Sequence, residues 1–414
     1  MKILYLLADF PYPLINGTRV QTFNLLRYMV RDHECHVLSF CDDDVHKWLQ
    51  EFRCRVPDVH ILGLFPRQSG LVLQIARVRH LLRGNPIFLA RWENDAFARV
   101  VTQALRNMDY DLIHLEGIPM VLYLNLCKTK PTVVSTIDAV SLVYRRASDA
   151  TENMLKRTYR RFASWSIGRF ERKNLTKATK VHVVSKPDCK YLRNCIPDLD
   201  VEHIEIVVPE ELINYPLPDS GSMEDESPRI LFSGILSVDT MARGLLWFLS
   251  DVYPAILNAC PDVQMVVLGR DAPPNVLKKI EFMPNVRYIN WAEDYYGELA
   301  KSKIMVMPDL SGTGIKNRVL QAMALAIPIV GSPLVFEGIP IEDGVHCFER
   351  TESEGFAQAV INLLKDDGLG DRVGTSARQL VLGRYTMDVA GPRWLTLYNS
   401  AIVKFKVDDK YRGE

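Results

Sequence analysis

The sequence predicts an α/β protein of two doubly wound domains, each built on a parallel β-sheet, with the sheet edges facing a cleft. Three observations carry this. The chain has 414 residues, more than one ordinary core holds and enough for two domains of about 200 residues each. Short apolar runs rich in β-branched residues alternate with longer stretches of helical period, the pattern of βαβ units. That rhythm stops at 214–228 (NYPLPDSGSMEDESP), a Pro-, Ser-, Gly- and acid-rich stretch that reads as a linker.

The first half offers strands at KILYLLA (2–8), CHVLSF (35–40), VHILGL (59–64), DLIHLEG (111–117), TVVSTID (132–138) and VHVVS (181–185). Helices fall between them; over 18–31, Val20, Phe23, Leu26 and Val30 recur at helical spacing. The second half restarts with RILFSG (229–234), VQMVVLG (263–269), VRYINW (286–291), KIMVMPD (303–309) and IPIVGSP (327–333), then closes in helical stretches at 353–366, 370–382 and 387–403. The expected domains are 1–213 and 229–386, with a last helix of about 387–414 packing back on the first. No repeat or low-complexity tract interrupts this order.

Composition is ordinary, with 48% apolar and 24% charged residues, which sets aside disordered and collagen-like classes. The opening MKILYLLADFPYPL breaks at Asp9 and two prolines; it is too short to span a bilayer and reads as a first strand. A cytoplasmic location is expected. The eight cysteines show no CxxC spacing or Cys/His cluster, so reduced, mostly buried thiols are expected. Asp42-Asp43-Asp44 precedes Val45 as a helix start does, and His33, His36 and His46 lack ligand spacing, so no metal is assigned.

Net charge is zero, yet residues 1–215 carry 30 basic against 24 acidic side chains and the remainder 20 against 26. Most of the excess lies in 151–200, with 12 basic against 5 acidic, including Lys156, Arg157, Arg160, Arg161, Arg169, Arg172 and Lys173. A solvated helix face and contact with an anionic membrane surface through 145–180 are both open readings. No nucleic-acid-binding motif accompanies the charge.

The most informative segment is PDLSGTGIKNRVLQAMALAIPIVGSPLVFEGI (308–339): strand, Gly-containing turn, amphipathic helix, strand. Gly312 and Gly314 open the turn, and a helix beginning near Ile315 presents free N–H groups and its positive dipole end to an anion, with Lys316 and Arg318 adding charge. A nucleotide diphosphate fits there; a capped surface helix explains the charges but not the paired glycines.

This run, GTGIKNRVLQAMALAIPIVGS, resembles the signature of the family 4 retaining glycosyltransferases of GT-B type, two Rossmann-like domains with parallel sheets facing an inter-domain cleft, as in bacterial polysaccharide and exopolysaccharide sugar transferases. The resemblance extends to Asn16-Gly17-Thr18 ahead of a helix, to FSGILSVDTMARGLLWFL (232–249), MVVLGR (265–270), and the closing helix with Trp394 and Tyr398. It implies that Arg243 stands where the family has a diphosphate-binding Lys, where a guanidinium offers two parallel donors. Gly234 lets the backbone approach the donor, Arg318 matches the family's basic residue at the helix start, and Gly17 and Thr18 match the loop that approaches the transferred sugar.

The family's two glutamates eight positions apart fall on Thr313 and Gln321. Gln321 still accepts and donates at the ribose hydroxyls; Thr313 lacks the charge, which reads as a subgroup trait. Asp138 closes a strand, a place usually given to a turn former, but it resembles the subgroup's sugar-facing acid. Glu116 is a further candidate, for acceptor binding.

The function implied is transfer of a hexose from a nucleotide diphosphate sugar to a hydroxyl of a saccharide or lipid-linked saccharide, with retention and without a metal or other cofactor. The catalytic candidates are Asp138, Arg243 and Arg318, and the donor site is completed by Gly17, Thr18, Gly234, Gly312, Thr313, Gly314, Ile315, Lys316 and Gln321. A nucleotide-sugar epimerase and a non-catalytic partner subunit are the alternatives.

Overall fold

The computed structural model describes residues 1–42, 44–149, 151, 153–217, 227–310 and 315–412. The chain forms two compact units, Met1–Val207 with Met387–Glu414, and Val208–Thr386.

In the first unit seven strands, β1 (Lys2–Leu7), β2 (Glu34–Cys41), β3 (Val59–Pro66), β4 (Leu112–Glu116), β5 (Thr132–Ile137), β6 (Lys180–Val183) and β7 (Val201–His203), form one sheet. Their order is β3-β2-β1-β4-β5-β6-β7, and every pairing is parallel. Leu4 and Leu6 of β1 enter one core with Phe40, Phe97 and Val101. Ile3, Tyr5 and Leu7 enter the other with Phe23, Leu26, Trp394 and Leu397. Burial on both faces explains why β1 reads as an unbroken apolar run instead of an alternating one.

The helices Gly17–Met29 and Met387–Arg412 cover the second face. They cross at Gly391, where a Cβ would lie 2.4 Å from Cζ of Tyr28. Only glycine admits that approach.

The second unit holds β8 (Arg229–Ile235), β9 (Gln264–Arg270), β10 (Val286–Ile289), β11 (Ile304–Met307), β12 (Ile329–Gly331) and β13 (Phe348–Glu349). Its order is β10-β9-β8-β11-β12-β13, again with parallel pairings. Phe232, Val267, Val306, Phe248, Tyr253 and Phe356 make its core.

Two details depart from the sequence reading. Strands β7 (VEH) and β13 (FE) are short and partly charged, so they do not register as apolar runs. Residues 208–213 sit with the second unit rather than the first: the Val208 amide donates to the Tyr385 carbonyl at 2.8 Å, and Arg378 Nη2 to the Ile213 carbonyl at 2.6 Å. Of the expected linker, 218–226 lie outside the described residues.

Strand order reverses between β1 and β4 in the first sheet and between β8 and β11 in the second. In open parallel sheets, ligands bind beyond the carboxyl ends of the strands at such a reversal.

Candidate functional site

Beyond the carboxyl ends of β8 and β11, the Arg318 guanidinium is held on two sides. Nη1 donates to the Ser233 carbonyl at 2.7 Å, and Nη2 donates to the Asp309 carboxylate. Both residues are buried, Arg318 at 9% exposure and Asp309 at 2%. Asp309 is anchored in turn, since Ser332 Oγ donates to its carbonyl at 2.6 Å. Two of five N–H donors are therefore spent on protein, which fixes the orientation of the rest. Gly234 makes the room: a Cβ there would stand 3.3 Å from Arg318 Nη1 and 3.1 Å from Met241 Sδ.

Arg243 lies on the helix Asp239–Trp247, its side chain 40% exposed and its Nε 3.1 Å from Asp239 Oδ2 one turn earlier. The next residue fixes that helix. A Cβ on Gly244 would lie 2.1 Å from the Pro308 carbonyl oxygen, so the helix rests directly on the backbone leaving β11. Arg243 and Arg318 are thus carried by elements that meet at Pro308–Asp309.

Gly312, Thr313 and Gly314 lie outside the described residues. The helix after the turn runs Asn317–Ala324 with Lys316 as its N-cap, two residues later than expected. Ile315 packs on Gly338, whose φ of 85° requires glycine. Gln321 is half-buried on the same helix.

Two features at this edge escaped the sequence reading. Tyr295 OH is 2.9 Å from Ser233 Oγ, and burial pushes its phenol up. Arg270, ending β9, stands over the ring of exposed Trp291 at 5.7 Å. The sequence held no signal for either, because each pairing joins residues far apart in the chain.

In the first unit, Gly17 and Thr18 open the helix Gly17–Met29, where the Asn16 side chain accepts from the Arg19 amide at 2.9 Å. Beside them lies a charged quartet that sequence spacing did not reveal. Arg19 Nε is 2.8 Å from Asp9 and its Nη2 3.0 Å from Asp42. Arg67 reaches Asp9 at 2.7 Å and also pairs with Asp42, and it stands over the Trp92 ring at 5.5 Å. Asp42 therefore ties strand ends together; Asp43 lies outside the described residues. Among the described residues, no three His, Cys, Asp or Glu side chains are grouped to hold a metal ion.

Asp138 follows β5 and is half-buried, its amide donating to the Thr136 carbonyl at 2.8 Å. Ile137 before it has φ 66°, a conformation unfavourable for a β-branched residue that turns the chain sharply at this strand end. Glu116, assigned above to acceptor binding, is 2% exposed. One oxygen is 2.9 Å from His114 Nε2, and the other accepts from Ser135 Oγ at 3.0 Å. His114 Nδ1 is 2.8 Å from Tyr398 OH, and Ser135 Oγ 3.0 Å from His182 Nδ1. Glu116 thus belongs to a buried polar chain linking β4, β5 and β6 to the C-terminal helix, because its side chain points into the layer that this helix covers.

The basic stretch 145–180 is also divided by the fold. Arg160 Nη1 donates to the Ala147 carbonyl at 2.8 Å, and Lys180 pairs with Asp200 at 3.3 Å and Glu202 at 2.5 Å. Lys156, Arg161, Arg169, Arg172 and Lys173 are exposed.

Comparison with known proteins follows the division into units. Residues 15–208 match the family model described as Glycosyltransferase Family 4, and residues 227–366 that described as Glycosyl transferases group 1. An uncharacterized 44.6 kDa protein of the cps region of Klebsiella pneumoniae is 23% identical over 235 residues, 54% of this chain and 58% of that protein. A phosphatidyl-myo-inositol mannosyltransferase of Mycobacterium leprae is 23% identical over 176 residues, 41% of this chain and 46% of that protein. The chain spans about half the length of these curated relatives. Among solved structures, Anabaena HepE in complex with UDP superposes with a TM-score of 0.67 at 15% identity, covering 96% of this chain and all of that one. Sucrose-phosphate synthase of Thermosynechococcus elongatus gives 0.68 at 15% identity, covering 97% and 100%. The shared fold is the GT-B type, two Rossmann-like domains with parallel sheets.

Proposed function

We propose, from the premise that the chain is a glycosyltransferase of GT-B type, that it moves a hexose from a nucleotide diphosphate sugar to a hydroxyl of a saccharide or lipid-linked saccharide. The observation that carries this reading is that the helices of Arg243 and Arg318 both meet the segment leaving β11, Gly244 at the Pro308 carbonyl and Arg318 at the Asp309 carboxylate, with Gly234 making room beside Arg318. The HepE structures, solved with UDP and with UDP-glucose, support a uridine diphosphate donor as the first to try.

Loss of the leaving group places negative charge on the bridging and terminal phosphate oxygens. Cations already held in place stabilise that charge without reorganising, commonly the largest catalytic contribution. Arg318 is pre-oriented by Asp309 and Ser233, and Arg243 and Lys316 supply the remaining charge. The resemblance to family 4 adds the stereochemistry. The departing diphosphate takes the proton of the acceptor hydroxyl as that oxygen bonds to the anomeric carbon on the face the diphosphate leaves. The configuration is then retained, and no metal enters the step. Asp138 orients the sugar or stabilises the positive ring. A lipid-linked acceptor requires the first unit to meet a membrane, and the exposed cations of 145–180 are suited to anionic lipid.

The test incubates purified protein with nucleotide sugars, with and without candidate acceptors and with excess chelator. Nucleotide release that needs acceptor and survives chelator supports the proposal. Isomerised sugar without acceptor identifies an epimerase, and neither outcome a non-catalytic subunit. Loss of activity in chelator with rescue by manganese overturns the metal-independent step.

A further inference from the structure

The helix Gly70–Leu82 turns an apolar face to solvent. Leu71, Ile75, Val78 and Leu82 recur at spacings of four, three and four, one side of an α-helix, and they are 76, 60, 57 and 83% exposed. The opposite side, Leu73 and Ala76, packs inward on Ala90. The helix Met154–Asn174 repeats the arrangement with exposed Leu155, Tyr159, Phe162 and Trp165. The two helices are tied together just beyond the end of the first. Ser166 Oγ donates to the Gly84 carbonyl at 3.3 Å, and Arg169 Nη1 stands 3.4 Å from the Cβ position of Gly84 while its guanidinium covers the Trp165 ring at 6.0 Å.

Cations outnumber acids on this surface; the acids that pair with it come from neighbouring elements, Glu93 at 2.7 Å from Arg79 and Asp149 at 3.8 Å from Arg161. Gly70–Leu82 contains no acidic residue, and the single acid of Met154–Asn174, Glu171, is buried. Around the apolar stripes lie Arg83, Lys156, Arg161, Arg169 and Lys173, all exposed.

We propose that the Gly70–Leu82 helix lies in the interface of an anionic bilayer, with Leu71, Ile75, Val78 and Leu82 at the acyl boundary. Tyr159 and Trp165 lie at headgroup level, and the flanking cations face lipid phosphates. An apolar stripe flanked by cations and interfacial aromatics is the composition that binds in this plane. Charge complementarity selects this occupant. A second copy of the chain would set two positive faces against each other, at a cost, whereas anionic lipid neutralises them. The inference rests on the reading that the first unit meets a membrane. It adds a salt-resistant apolar hold, through a helix outside the 145–180 stretch.

The experiment is co-sedimentation of the full chain with phosphatidylcholine vesicles, with and without phosphatidylglycerol, at low and high salt. Two combined variants accompany wild type: Leu71→Ser, Ile75→Ser and Val78→Ser, and Lys156→Glu, Arg161→Glu and Lys173→Glu. Every altered side chain is exposed, and a thermal melt of each variant verifies folding. Wild type is expected to bind anionic vesicles and to keep part of that binding at high salt. The serine variant should lose about tenfold or more of its partitioning at either salt, since three apolar side chains no longer leave water. The glutamate variant should lose only the part that salt removes. A serine variant that binds like wild type overturns the inference and leaves the electrostatic reading standing. Full binding by the glutamate variant with none by the serine variant supports the apolar hold and overturns the placing of the flanking cations against lipid phosphates. Absence of wild-type binding to either vesicle overturns both, and a wild-type dimer that the serine variant dissociates assigns the face to a second copy. Nucleotide release with a soluble acceptor reads catalysis separately from all of these.

Discussion

Arg318 Nη1 stands 3.3 Å from the point where a Cβ on Gly234 would lie, and the same nitrogen donates to the carbonyl of Ser233, one residue earlier. The glycine and the arginine are fitted to each other. A larger side chain at 234 would crowd Met241 Sδ, 3.1 Å away, and drive the guanidinium off its carbonyl. Gly234→Val should therefore lower turnover by about two orders of magnitude, the usual loss of one preorganised donor. Steady-state nucleotide release measures it, and turnover equal to wild type would show that the fit does not matter to catalysis.

Gly244→Ala tests how Arg243 is positioned. The added methyl would lie 2.1 Å from the Pro308 carbonyl oxygen, a backbone atom that cannot rotate away. The helix Asp239–Trp247 must lift, at a cost of about 1–3 kcal/mol by the measure of overpacked interiors. Both the melting temperature and kcat/KM should fall. An unchanged melt would mean that the helix does not rest on β11 as described.

Arg243→Ala should cost about two to three orders of magnitude in turnover. Arg243→Lys should recover only part of this, since an ammonium keeps the charge without the planar fork. Asp239→Ala separates the pairing from the charge. Its carboxylate is 82% exposed, where an ion pair contributes little, so activity should stay near wild type. A large loss in Asp239→Ala would make the pair, rather than the cation, the functional unit.

The sheets were legible because buried parallel strands spell continuous apolar runs, as KILYLL does in β1. β7 and β13 were not, since VEH and FE spell no apolar run. Gly234 and Arg318 were visible as motif residues, but the partner that orients Arg318 was not. Asp309 ends a strand like many turn-forming aspartates, and only the fold brings its carboxylate to the guanidinium. The partners of Glu116 were hidden for the complementary reason. A strand-end carboxylate looks the same in sequence whether it faces a ligand or the layer beneath a C-terminal helix almost 300 residues away. The quartet of Asp9, Arg19, Asp42 and Arg67 was invisible because three strand ends and the first helix supply it.

Two buried groups of the first unit give stability opposite dependences on pH. Glu171 accepts from the Ser141 amide at 3.1 Å and from its hydroxyl, yet burial outweighs these bonds and pushes its carboxyl from 4.5 up to about 7. Between pH 4.5 and 7 the folded chain holds a proton there that the unfolded chain has released, so this group makes stability fall as pH rises. His182 is buried beside the Ile204 carbonyl, 3.0 Å from Nε2, and burial lowers it from 6.5 to about 3. Below pH 6.5 the unfolded chain binds a proton that the folded chain refuses, so stability falls as pH drops towards 3. Across pH 4.5–6.5 the two slopes, each about 1.4 kcal/mol per pH unit at full effect, oppose one another. Glu171→Gln should therefore gain stability relative to wild type as pH rises from 4.5 to 7, and His182→Gln as pH falls from 6.5, whatever constant offset each substitution adds. Denaturant unfolding of wild type and both variants at intervals from pH 4.5 to 8 reads these differences directly. Curves that run parallel to wild type at every pH would mean that neither group titrates between the folded and unfolded chain as its burial requires.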